Sequence, residues 1–145
     1  MLYLAIDQHS KQLTVNLRNE AGDVLIRRQV STRGESPQAF LREVQQLAAS
    51  DGGYVAIVEV CGFNDWLLRL LPACGCREIV LVQADRKSNR KTDRRDANTL
   101  GELLWINRQR LLGGQRVQGL RRVQIVTPQE REERRLTQMR RNAGR

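Results

Sequence analysis

The sequence predicts an α/β fold with a mixed five-stranded sheet, helices on its faces and a basic helical extension. Short apolar runs suited to strands alternate along the chain with segments of helical periodicity. Their order is three strands, a helix, a strand, a helix, a strand and a final helix, which is typical of α/β domains. The 145 residues are enough for one such domain with its own core.

The first three predicted strands form an antiparallel meander. Residues 2–6 are continuously apolar, as expected for a strand buried on both faces, and Asp7 follows them. Residues 13–17 alternate in polarity, and residues 19–23 supply a turn into a third strand over 24–30. Asp7 therefore stands at a strand end, where capping of a turn is the structural alternative to a functional role.

The middle of the chain alternates helices and strands. Ser36 is predicted as the N-cap of a helix with Pro37 at its first position. A second apolar strand over 54–58 ends in Glu59, a short helix covers 64–71, and a last strand covers 78–82. The core-facing stripe predicted for the first helix is Phe40, Leu41, Val44, Leu47 and Ala48.

Residues 83–107 are the stretch around which the functional prediction is built. Residues 92–106 are predicted as an amphipathic helix whose inward stripe, extended backwards, meets Asp93 and Asp96. Inward carboxylates need a partner or a metal ion. The alternative left open is that acids occupy the first helical turn because the helix dipole favours them there. The apolar members of the stripe are Ala97, Leu100 and Leu104.

Four acids are predicted to converge as a catalytic and metal-binding site. Asp7 and Glu59 end neighbouring strands, and the final helix delivers Asp93 and Asp96. Four like charges repel one another unless divalent cations neutralise them. Oxygen ligands alone suit Mg²⁺ or Mn²⁺, and two such ions about 3.5–4 Å apart are the usual device for phosphodiester chemistry.

The charge distribution favours a nucleic-acid partner. The net charge is +9, yet residues 1–82 carry 8 Lys/Arg against 9 Asp/Glu, whereas residues 83–145 carry 17 against 7. A basic half of this kind indicates a polyanionic partner. With no long apolar run and no signal peptide, we expect no membrane and a cytoplasmic, nucleoid-associated protein. The predicted nucleic-acid-binding residues are Arg86, Lys87, Arg90, Lys91, Arg94 and Arg95.

Cysteine and histidine chemistry is not indicated. Cys61, Cys74 and Cys76 have no zinc-site spacing, and His9 is the one histidine. We expect structural thiols, and a single histidine beside a strand end makes no catalytic triad.

The chain changes character after the predicted domain over 1–107. Residues 108–127 are predicted as a loose basic linker containing several glycines. Residues 128–145 are predicted as the start of a charged helix in which Leu136 and Met139 are nearly the only apolar side chains. Such a helix needs a partner chain or more sequence, so we expect a truncated coiled-coil segment.

Three segments stand out: AIDQHSKQLTV, VEVCG at the end of an apolar strand and, above all, KTDRRDANTLGELL. They resemble the N-terminal domain of the DEDD transposases of the insertion sequence 110 family and the related Piv-type DNA invertases. The resemblance covers about residues 1–107, and the helix from Pro128 resembles the start of the family's coiled-coil region.

The resemblance implies an RNase H-like, RuvC-like fold with a metal-binding tetrad of Asp7, Glu59, Asp93 and Asp96. It also implies DNA strand cleavage and exchange in transposition, a structured guide RNA, an oligomer, and a C-terminal domain that this sequence lacks. Two alternatives stay open. One is a RuvC-like structure-specific nuclease, such as a Holliday-junction resolvase, and the other is a non-catalytic nucleic-acid-binding module.

Overall fold

A computed structural model describes residues 1–60, 64–83 and 95–125. They form a mixed sheet of six strands in the order β3-β2-β1-β4-β5-β6, with helices on its faces, so the predicted α/β class is confirmed. The elements are β1 (Leu2–Gln8), β2 (Gln12–Arg18), β3 (Val24–Ser31), α1 (Ser36–Ala48), β4 (Tyr54–Glu59), α2 (Asp65–Ala73), β5 (Cys76–Gln83), α3 (Ala97–Ile106), α4 (Arg108–Leu112) and β6 (Arg121–Arg122), with a 3₁₀ turn at Ala49–Asp51.

The central strands run parallel and bring their carboxyl ends to one edge of the sheet. β1 pairs antiparallel with β2 on one side and parallel with β4 on the other. β4 pairs in turn with β5 in parallel. The register places Ile6 beside Val58, so the next residues, Asp7 of β1 and Glu59 of β4, lie side by side near the ends of these strands.

Side-chain alternation along the strands divides the core into two layers. Leu4 and Ile6 of β1 pack in the layer that contains the apolar stripes of α1 and α2. Tyr3 and Ala5 point the other way, into the layer that contains Leu100 of α3. This alternation follows from the pleat of the strand, which turns successive side chains to opposite faces. The face covered by α3 is called the α3 face below.

The sheet has one strand more than the sequence predicts. β6 lies within the predicted basic linker and pairs antiparallel with the end of β5, Val82 opposite Arg122. α4 occupies the beginning of the same segment. A strand of two residues is too short to leave a periodic pattern in the sequence.

The first helix also departs from prediction at both ends. Its N-cap is Glu35 without a side-chain capping bond, and Ser36 is the first helical residue. Leu47, predicted in the core stripe, is 45% exposed, whereas the other four stripe residues are buried. In the described part of the chain, no helix is long and apolar enough to cross a membrane.

Candidate active site

Asp7 and Glu59 lie side by side on the α3 face of the sheet. They directly follow the paired residues Ile6 and Val58 of the parallel strands β1 and β4. Ile6 and Val58 point into the layer of α1 and α2, and side chains alternate along a strand, so Asp7 and Glu59 both point toward the α3 face. Asp7 is 7% exposed and Glu59 is 1% exposed.

This pair of carboxylates is chemically suited to a cation. Two buried carboxylates on adjacent strands repel each other when both are charged, and a cation between or beside them offsets that repulsion. His9 makes a polar contact with the pair, since its Nε2 lies 3.0 Å from Oδ2 of Asp7. The carboxylates supply hard oxygen donors, which fit Mg²⁺ or Mn²⁺ better than a soft metal.

Asp96 takes a different position from the one predicted. α3 begins at Ala97, and Asp96 is its exposed N-cap, with Oδ1 accepting a hydrogen bond of 2.7 Å from the backbone N–H of Thr99. This bond lowers the pKa of the Asp96 carboxyl. The prediction that Asp96 lies inside the helix on its inward face is therefore wrong, because aspartate binds the free N–H groups of a helix end better than it continues a helix.

The start of α3 nevertheless lies on the same face of the sheet as Asp7. Asp96 and Ala97 line a groove together with Thr14 of β2. Thr14 is the cross-strand neighbour of Asp7. Asp96 therefore approaches from the β2 side of Asp7, whereas Glu59 lies on its β4 side.

α3 approaches β2 closely, and this contact fixes the distance of the helix from the sheet. A Cβ on Gly101 would lie 2.5 Å from Oδ1 of Asn16, so the two elements touch where glycine leaves room. The guanidinium of Arg18 donates to Oδ1 of Asn16 at 3.2 Å and to Oδ1 of Asn98 at 3.0 Å. These side chains were not singled out from the sequence, where the one signal was a glycine inside a helical pattern.

Several predicted site residues lie outside the described residues. These are Asp93, Arg86, Lys87, Arg90, Lys91 and Arg94. Arg95 is described and half-buried, and its Nη2 donates to the carbonyl of Gly119 at 3.3 Å. Over residues 1–60, 64–83 and 95–125, no group of three or more His, Cys, Asp and Glu side chains is arranged to hold a metal ion. Asp93 lies outside these ranges.

Cys74 and Cys76 are buried free thiols. Burial raises the pKa of the Cys76 thiol to about 12, which keeps it protonated near neutral pH. A protonated thiol is neither a nucleophile nor a metal ligand. Cys61 lies outside the described residues.

Comparison of the chain with models of known protein families found no match, and comparison with curated proteins found none either.

Proposed function

We propose that this chain is the RNase H-like catalytic domain of a DNA transposase, in which Asp7, Glu59, Asp93 and Asp96 hold divalent cations. The observation that carries the proposal is the buried pair of Asp7 and Glu59 at the carboxyl ends of adjacent parallel strands. Ligand sites of open α/β sheets lie at such ends. The strand order, with an antiparallel meander whose first strand adjoins β4, supports the RNase H-like fold that the resemblance implies.

Each part of the site has a distinct task in this proposal. Asp7 and Glu59 form the fixed half of the ligand set, since both belong to paired strands. Asp96, the residue before α3, completes the set from the β2 side of Asp7, together with Asp93, which lies outside the described residues. Bound Mg²⁺ or Mn²⁺ supplies activation of the attacking oxygen and charge stabilisation of the leaving oxygen of a phosphodiester.

The partners in this proposal are DNA, a structured guide RNA and further copies of the chain. The excess of positive charge in residues 83–145 supports a polyanionic partner. The RNA and the oligomer follow from the resemblance.

The test is cleavage of DNA with Mn²⁺ by the chain and by Asp7→Asn, with Asp23→Asn as the matched control. Asp23 is an exposed acid in the turn before β3, far along β2 from the site. Asp7→Asn should lower the rate about a hundredfold or more, because loss of a metal ligand removes several kcal/mol of charge stabilisation. Equal rates in both variants would contradict the proposal.

A structure-specific nuclease is the second candidate. It is favoured by the fact that Asp7 and Glu59 are both held by strands within residues 1–60, because metal-dependent hydrolysis uses water as the nucleophile and carboxylates such as these as metal ligands. Preferred hydrolysis of a four-way junction over a linear duplex would identify it. Joining of the cleaved end to a second DNA strand would identify a transposase instead.

A further inference from the structure

An open groove lies on the α3 face beside Asp7, between α3 and the outer strand of the sheet. Its volume is about 400 Å³, at the lower end of the roughly 300–1,000 Å³ typical of ligand sites. α3 packs mainly against β1 and β2. The lining residues used below are Thr14, Asn16, Arg27, Gln29 and Asp96.

Arg27 is the cation of this groove. It pairs with Asn16 across β2 and β3, so its side chain shares the α3 face. It is exposed, and within the described ranges it makes no ion pair and no side-chain hydrogen bond. Its neighbour Arg28 belongs to the opposite face, where Nη1 lies 2.7 Å from Oε2 of Glu43 and the guanidinium lies over the ring of Phe40.

Three polar side chains of β2 and β3 lie under or beside the groove. Asn16 is 1% exposed, and its buried Nδ2 has no hydrogen-bond partner in the part of the chain that the structure describes. Thr14 and Gln29, a cross-strand pair, add a hydroxyl and an amide on the same face. The Asn16 Nδ2 is not open to the groove, so the polar groups left for a ligand are the hydroxyl and the amide. The rest of the accessible lining is mostly apolar.

The two ends of the groove differ in charge. Arg27 stands at the β3 end, and the carboxylate of Asp96 stands at the α3 end. A phosphate is therefore attracted to the β3 end, whereas the α3 end suits a cation. Thr14 joins the groove to the acids, since it is the cross-strand neighbour of Asp7.

We propose that this groove binds one strand of the nucleic acid, with a backbone phosphate on Arg27 and the strand passing Thr14 toward Asp7 and Glu59. The proposal rests on the nucleic-acid substrate of the proposed function and adds the path of the strand. The charge of Arg27 selects this occupant, because a nucleic-acid strand supplies a phosphate to an arginine that makes no ion pair within the described residues.

The experiment measures binding of a fluorescein-labelled single strand of about 16 nucleotides, within the range of single-strand sites. The full chain is titrated in EDTA at several salt concentrations, so binding is separated from metal-dependent cleavage. Arg27→Gln should weaken binding about fivefold at 0.1 M salt and reduce the slope of log K against log salt by about 0.7, the value for one phosphate contact on a single strand.

Arg42→Gln is the matched control. Arg42 is an exposed cation of α1, whose apolar stripe packs on the opposite side of the sheet. A second pair inserts a negative charge: Gln29→Glu in the groove should weaken binding, and Gln46→Glu on α1 should not. Circular dichroism checks that all four variants are folded.

Each outcome decides the proposal. Loss of affinity and slope with Arg27→Gln but not with Arg42→Gln supports it. The proposal is overturned if the two variants have equal effects or if the full chain does not bind the strand. It is also overturned if Arg27→Gln weakens binding of poly-glutamate, a polyanion without phosphate, as much as it weakens binding of the strand. Failure of the Asp7→Asn cleavage test with the Arg27 effect intact would leave the strand path standing and remove the catalytic role.

Discussion

At the scale of single residues, the acids differ in what holds them. Asp7 and Glu59 are buried at 7% and 1% exposure in paired strands. Asp96 is exposed and caps a helix. The sequence indicated all three acids and left open, as the alternative for Asp96, that the helix dipole favours an acid in the first helical turn. The sequence could not decide whether Asp96 is a metal ligand or a helix N-cap, since aspartate serves both roles and the outcome depends on where the helix begins.

The cap can be separated from the charge at Asp96 by two substitutions. Asp96→Ala should destabilise the chain by about 1 kcal/mol, because the bond to the N–H of Thr99 is lost. Asp96→Asn should lower the stability by only a few tenths of a kcal/mol, since asparagine is an equally good N-cap. Urea unfolding measures both. Equal losses of stability would show that the carboxylate charge, not the cap, stabilises the native chain.

The stabilising effect of the hydrogen bond between Asp96 and Thr99 depends on pH. The folded pKa of Asp96 is lowered by the hydrogen bond from Thr99, so its stabilising effect is present above the ordinary carboxyl pKa. It is lost as pH falls through the lowered folded value. The stability gap between the wild type and Asp96→Ala should therefore shrink in acid. A gap that widens in acid would contradict this role.

At the scale of elements, the placement of α3 matters most for the site. The apolar stripe of α3 was predicted correctly, and Ala97, Leu100 and Leu104 are buried. Its contact with β2 was not predicted. Periodicity shows which face of a helix turns inward, but not which side chain of the sheet the helix meets. Here that side chain is Asn16, and Gly101 is the residue that lets the helix approach it.

Gly101→Ala tests this contact. The added Cβ would lie 2.5 Å from Oδ1 of Asn16, so we expect a net loss of about 1–2 kcal/mol, with overpacking partly offset by better helix propensity. In the double variant with Asn16→Ala the clash disappears. A double-mutant cycle by urea unfolding should thus give a favourable coupling of about 1 kcal/mol. Additive effects would show that the two residues do not meet.

At the scale of the whole molecule, the sheet order creates the site. β1 stands between β2 and β4, which brings Thr14 and Glu59 to the two sides of Asp7. The apolar runs of β1 and β4 made these strands predictable, because strands buried on both faces leave little room for polar residues. The groove beside Arg27 was not predictable, since it depends on how far α3 covers the sheet.

The most direct test of the central claim is calorimetric titration of Mn²⁺ into the full chain and into its Asp7→Asn and Glu59→Gln variants. Asp23→Asn and Glu35→Gln are the matched controls, since both residues are exposed in turns outside the site. We expect saturable binding by the chain and both controls, and none by the two site variants, with folding kept in all five proteins. Saturable Mn²⁺ binding by both the Asp7→Asn and the Glu59→Gln variant would contradict the account.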